Sequence, residues 1–268
     1  MVITSDFAKQ IEQSEITMVT SRLQGIQRIP NNPMNVEIKK FGGATAFTVK
    51  NIPGPSYNTV KGLDSIDMNK IKDIIHFYHE KEIPCRFELT PAHSSPKLLA
   101  KLTELGYYQT DFHTTLAGPA SNIQLKLPDK NITIRPLKEN EFQLFAEIYV
   151  KSFQMPEFLT DGVAQNNKVL YSNPNWKFYI ACVNEIPAAI GVLYITDDFA
   201  TLAASATLPE FRNNGCHTAL IHKRIIDATA SHSKYIVGQA RFGSVSQLNM
   251  ERIGMKIAYT KAIWIQRS

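Results

Sequence analysis

Residues 200–224 read ATLAASATLPEFRNNGCHTALIHKR, and the order of residue types within them sets the local path of the chain. Small and β-branched residues run to Leu208, Pro209 removes the donor that further sheet pairing would need, and the polar run Arg212, Asn213, Asn214, Gly215 leads directly into a helical pattern. The expected geometry is strand, short loop, helix amino terminus. The first amides of a helix have no internal acceptor, and the aligned peptide dipoles add roughly half a positive charge there, so an anion is favoured. Gly215 lets the backbone approach a phosphate closely, while Arg212 supplies a permanent cation with a planar fork of donors. The loop is therefore expected to bind a pyrophosphate. The plainer reading of the same residues is a helix capped by Asn214, with Arg212 simply solvated. No GxxxxGK[ST] is present, and no GxGxxG follows a strand, so neither an ATP-type phosphate loop nor a dinucleotide fingerprint is indicated.

The surrounding chain is that of a folded protein. Its 268 residues suffice for one large domain or two modest ones, and 44% hydrophobic, 20% charged and 10% aromatic residues exclude disordered and fibrous classes. No apolar run approaches the roughly 20 residues of a membrane span, and Met1–Gln10 lacks a basic cluster followed by an apolar core. Cys85, Cys182 and Cys216 form no CxxC pair, so neither a disulfide framework nor a zinc site is expected, and a reducing cytoplasm fits. The net charge of +5 is uneven: residues 1–117 hold 13 Lys and Arg against 12 Asp and Glu, residues 118–268 hold 16 against 12. No run of four basic residues occurs, which argues against nucleic acid but leaves a modest basic surface for a small anion.

Turn formers and two prolines in Gly118–Lys130, GPASNIQLKLPDK, predict a connection between halves, giving residues 1–117, a linker at 118–131, and residues 132–268. In the first half the patterning predicts a helix over Asp6–Ile26, a hairpin over Val36–Lys50, a helix over Asp67–Glu82, a strand over Arg86–Leu89, a helix over Ser94–Leu105 and a strand from Tyr107. The second half reads as a strand over Ile132–Arg135 and helices over Glu139–Phe153 and Asp161–Leu170. Three strands follow over Trp176–Val183, Ala188–Ile195 and Ala200–Leu208. Helix Cys216–His232, strand Tyr235–Ala240, helix Ser244–Ile253 and strand Ile257–Ile265 complete it. Offset by 148 residues, CRFEL with SSPKLLAKLTEL and Gly106 matches YIVGQ with SVSQLNMERI and Gly254, which suggests a duplicated fold. Gly-capped αβ units are common enough to arise without duplication.

PEFRNNGCHTAL, followed in order by SVSQLNMERIGMKIAYT, resembles the GNAT superfamily of N-acetyltransferases, whose acetyl-CoA loop reads RxxGxG/A ahead of a helix. His217 stands where Gly or Ala is common in that family. The resemblance spans Ile132–Ile265, about half of the chain, and implies an α/β (α+β) architecture: tandem GNAT-like domains, each a mixed, mostly antiparallel sheet flanked by helices, the first degenerate. It further implies transfer of acetyl from acetyl-CoA to a small-molecule amine in a ternary complex. Backbone groups of Ala206, Thr207 and Leu208 would flank the pantetheine, the amides of Arg212, Asn213, Asn214, Gly215, Cys216, His217 and Thr218 would hold the pyrophosphate, and Asn249 with Arg252 would reach the cofactor arm. No metal, nucleic acid or membrane is implied, and a homodimer is left open. The rival class is a non-catalytic acyl-CoA sensor.

Acid and base are less determined. Direct aminolysis needs a neutral amine and a proton donor for the departing thiolate. Relatives often carry a Glu on the strand corresponding to Thr201–Leu208 and a Tyr where this chain has Met250; here the nearest carboxylates are Asp197 and Asp198 at a hairpin tip. Tyr259, Ser205 and Ser246 are the alternatives. His76 and His79 share a helix face but lack a third ligand, Cys216 could have a lowered thiol pKa at its helix terminus, and Lys223 and Arg224 read as helix-end charges. In the first half, PGPSYNTVKGLDS (Pro53–Ser65) carries no RxxGxG, so charge reversal at Lys61 is expected to leave cofactor binding intact, unlike reversal at Arg212.

Overall fold

A computed structural model describes residues 1–54, 57–122 and 131–267. Part of the expected linker, residues 123–130, and residues 55–56 of the Pro53–Ser65 stretch lie outside the described residues. In chain order the elements are α1 (Ser5–Gln27), β1 (Val36–Phe41), β2 (Ala44–Val49), β3 (Thr59–Lys61), α2 (Ile71–His79), β4 (Arg86–Leu89), α3 (Pro96–Glu104) and β5 (Tyr107–Pro119). Then come β6 (Ile132–Pro136), α4 (Phe142–Ser152), α5 (Thr160–Lys168), β7 (Trp176–Val183), β8 (Ile186–Thr196), β9 (Phe199–Thr207), α6 (Cys216–Ala230), β10 (Tyr235–Arg241), α7 (Val245–Arg252) and β11 (Lys256–Gln266). The chain forms two compact units, Val2–Thr115 joined by Ile257 onward, and Leu116–Lys256. The sequence division places the last strand with the second half; in the structure β11 pairs with β4, Ala262 opposite Leu89 and Trp264 opposite Phe87. No described helix is long and apolar enough to cross a membrane.

In the first unit, β1 and β2 form the expected hairpin, with Phe41 opposite Ala44 and Gly42 at φ +64° in the turn. Ile71, Ile74 and Phe77 of α2 and Leu98 and Leu102 of α3 pack on Phe87 and Trp264, following the 3–4 spacing of an amphipathic face. β3 runs parallel to β4 but pairs with it only at Val60 and Phe87. One residue on, Lys61 meets Glu88, and four buried charges close the space. Lys61 Nζ lies 2.6 Å from Glu15 Oε1, and Lys261 Nζ lies 2.7 Å from Glu15 Oε1 and 2.9 Å from Glu88 Oε2. The two lysines hold both carboxyls below the usual range despite the opposing effect of burial. In the segment leading to α2, Asp64 accepts from the amide of Ile66, and Asp67 reaches across to accept from the amide of Gly43 in the β1–β2 turn.

In the second unit, β6, β7, β8 and β9 form an antiparallel meander, and β10 adds to β9 in parallel. Leu220, Ile221, Ile225 and Ala228 of α6 pack on Ala189, Leu193 and Ala200 of the sheet. Phe142 and Phe145 of α4 stack edge-on against Phe178 of β7, a burial that accounts for the helical stripe seen in the sequence. Both units are thus mixed, mostly antiparallel sheets with helices on their faces.

Candidate active site

β9 and β10 pair from Phe199–Leu202 against Tyr235–Gly238 and then part. On its other edge, β9 slips register against β8 at the same point: Leu193 faces Leu202 and Val192 faces Ala204, leaving Ala203 unopposed. Such a bulge bends the strand and sharpens its twist. Gly238 lets Met250 pack closely there, since a Cβ would run into the Met250 sulfur and displace it. Beyond the bulge a cavity of about 650 Å³ opens between Ser205–Thr207 of β9, the first turn of α6 and the start of α7.

The amino end of α6 faces this cavity. Gly215 is the N-cap, in the left-handed region at φ +83°, with no side-chain cap. The first helical bond runs from the amide of Ala219 to the carbonyl of Gly215, so the amides of Cys216, His217 and Thr218 have no acceptor within the helix. Asn213 is also left-handed at φ +66°, which turns the loop back toward the helix. Arg212 lies in the wall and donates from Nη2 to the carbonyl of Ser152, at the end of α4, at 2.8 Å. Asn214 is exposed, lies outside the wall and does not cap the helix. Ala206 and Thr207 line the cavity, whereas Leu208 is buried and gives its amide to Ala188 at 2.9 Å. Amides alternate along an extended strand, so those of Thr207 and Ser205 turn to the opposite, splayed edge.

Three side chains of the cavity wall are ordered by one another. Arg252 donates to Oδ1 of Asn249 at 2.9 Å, and Nδ2 of the same amide lies 3.0 Å from Nδ1 of His217. With its oxygen held by Arg252, Asn249 donates through nitrogen, so the neutral imidazole carries its proton on Nε2. Burial, aided by the nearby charge of Arg224, brings His217 down to about 4. Arg224 is itself buried, 1% exposed, and donates to Ser205 Oγ at 2.6 Å and to the carbonyls of Ala204, Val192 and Leu220 at 2.9–3.1 Å. It thereby satisfies carbonyls beside the bulge. Ser205, His217 and Ser246 form part of both this cavity and a second one of about 300 Å³ behind it. Among the described residues, the wall of neither includes an Asp or Glu.

No family model matches the chain, and no curated protein matches it in sequence. Solved structures do. A GCN5-related N-acetyltransferase from Kribbella flavida superposes with a TM-score of 0.66 at 14% identity, over 94% of this chain and 95% of that one. The chain has the GNAT fold. A tandem GNAT protein from the clavulanic acid biosynthesis pathway gives a TM-score of 0.67 at 9% identity, over 91% of this chain and 86% of the other. A GCN5-related N-acetyltransferase from Sphaerobacter thermophilus gives 0.63 at 10%, over 84% and 80%.

Within this GNAT fold the expected residues divide. Arg212, Asn213, Gly215, Cys216, His217, Thr218, Asn249 and Arg252 come together around the larger cavity with Ser205, Ala206, Thr207 and Ser246. Tyr259 does not join them: it is buried in the other unit, where desolvation and the nearby Glu15 push its hydroxyl pKa up. Cys216 is 1% exposed and its thiol is raised by burial, so the lowered pKa expected of its helix terminus does not occur. Met250 packs in the core, and Asp198 is paired with Lys234 at 2.9 Å. His76 pairs with Glu80 on an exposed face. Lys61 is no free surface charge either, being buried between Glu15 and Glu88. Arg224 is the main residue whose part the sequence reading missed. The signal was present, since Leu220, Arg224 and Ala228 recur at i, i+4 and i+8 within the apolar stripe of α6.

Proposed function

We propose that this chain transfers the acetyl group of acetyl-CoA to the amine of a small molecule, both substrates being held together in the second unit. The observation that carries the reading is the uncapped start of α6, left-handed at Gly215, facing the cavity where β9 leaves β10. The donor set fits the diphosphate of coenzyme A: three amides without helical acceptors, a dipole end and Arg212. Bound acetyl-CoA would supply the acetyl group as an activated thioester. The amide of Thr207, turned to the splayed edge, is placed to donate to an oxygen on which negative charge develops. Nε2–H of His217, its tautomer fixed by Asn249 and Arg252, offers a hydrogen bond from the cavity wall to a departing sulfur, which takes its proton from the amine being acylated by way of solvent. Ser205, whose Oγ accepts from Arg224, keeps its own hydroxyl proton free to turn toward the acceptor side.

Absence of any carboxylate from the described walls favours a second reading, an acyl-CoA sensor without chemistry. Calorimetry with acetyl-CoA, followed by a screen of amines for release of the CoA thiol, separates the two. Binding with turnover of at least one amine supports the transferase. Tight binding with no thiol release from any amine would support the sensor, and no binding at all would remove both.

A further inference from the structure

We propose that the acceptor carries a carboxylate beside its amine, as a free amino acid does, and seats that carboxylate between Arg224 and Arg241 in the cavity of about 300 Å³ behind Ser205. The proposal rests on the transfer reading above and names its substrate class.

The smaller cavity is built for negative charge. Its polar wall residues are Arg224, Arg241, Gln239, His217, Tyr149 and two serines, and no described wall residue is acidic. Arg224 is the decisive member. A guanidinium has five N–H donors, and Arg224 places one on Leu220, two on Val192 and Ala204, and one on Ser205, leaving one on Nη2. All its acceptors are neutral. A buried cation without an anionic partner is costly, and a ligand carboxylate in hydrogen-bond reach offsets that cost. Gly191 of β8 is what makes room: a Cβ there would stand 3.2 Å from Arg224 Nε. Nε2 of Gln239, on β10, is buried without an acceptor and adds a second donor that lacks a partner. Arg241, two residues on along β10, is exposed at the mouth and is placed to meet the same anion. Leu202, Ile221 and Met250 supply the apolar surface for the remainder of a small side chain.

The same charges suit the reaction. A positive surrounding favours the neutral form of a nearby amine, because a second cation beside Arg224 is repelled. The acceptor's ammonium therefore gives up its proton more readily there than in water, and solvent water takes that proton in place of a carboxylate base.

The experiment uses the full chain and measures calorimetric affinity in saturating coenzyme A for matched pairs, the common L-amino acids against their primary amides, and, with acetyl-CoA in place of coenzyme A, acetyl transfer to each. At least one acid should bind about tenfold or more tightly than its amide, as expected for a charge-assisted hydrogen bond. Arg241→Gln should narrow that ratio to about threefold or less. Arg224→Lys tests the buried partner where it folds; Arg241→Gln keeps the test decisive where it does not. Acids and amides binding within threefold in every pair, or no member binding at millimolar concentration, would overturn the carboxylate proposal while coenzyme A binding left the transfer reading standing. A chain that fails to bind coenzyme A loses both.

Discussion

The side-chain nitrogen of Asn249 lies 3.0 Å from Nδ1 of His217, and Arg252 holds the oxygen of the same amide at 2.9 Å. Two residues one helical turn apart on α7 thus fix the tautomer of a ring on α6. Asn249→Ala should release that ring. In the parent protein, nitrogen-15 spectra of His217 should show a single tautomer protonated at Nε2; in the variant the two tautomers should mix. Acetyl-CoA affinity should fall about tenfold, the scale of one lost polar contact in a half-buried site. An unchanged tautomer would break the assignment.

Stability should fall with acid through His217. An unfolded histidine binds its proton near 6.5, whereas burial beside Arg224 holds this one at about 4. Between those values the unfolded chain takes up a proton that the native one refuses, so stability is full above about pH 7 and declines as pH drops toward 4. Between pH 7 and 5 the loss should be about 2 kcal/mol. Urea unfolding at both pH values should show His217→Asn losing that much less, with the lowered carboxyls of Glu15 and Glu88 adding their own loss at lower pH.

Arg212→Glu should weaken acetyl-CoA binding more than tenfold, since it reverses a charge in the cavity wall and frees the carbonyl of Ser152. The fitting control is Lys72→Glu on the exposed face of α2, with affinity unchanged by calorimetry. Lys61, attractive from the sequence, would unfold the first unit instead.

Lys261→Met should cost about 3–5 kcal/mol in urea unfolding, because Glu15 and Glu88 would be left to share Lys61 in a buried site. Adding Glu15→Leu restores neutrality, with Lys61 still paired to Glu88, and should recover most of that loss. A double variant as unstable as the single one would show that shape, rather than charge, dominates there.

All three cysteines are buried, and burial raises the thiol of Cys216, with Cys85 pushed up to about 12. Native protein should therefore be slow toward a thiol-specific disulfide reagent at pH 8, with three equivalents titrating on unfolding. Rapid modification of Cys216 in the native state would contradict its placement in the core.

Local order was legible in the residues themselves. An apolar run closed by the turn residues at Asn184–Pro187 predicts β7 over the very residues it occupies, apolar spacing predicts α4 to within three, and Pro209 followed by Gly215 predicts a strand, a loop and the first residue of α6. These depend on forces that act within a turn or two of chain. Assignments that depend on distant partners were not legible. Nothing in Lys256–Gln266 says that β11 pairs with β4, more than 160 residues earlier, because any strand of suitable pattern satisfies the same hydrogen bonds. Nor does the sequence say that Lys61 and Lys261 neutralise Glu15 and Glu88, or that Arg224 lies buried beneath the bulge at Ala203. Sequence by itself determined the elements and the anion-seeking end of α6, whose orphan amides follow from backbone geometry alone. Tertiary structure decided which charges meet, since burial and pairing are properties of a side chain's neighbours.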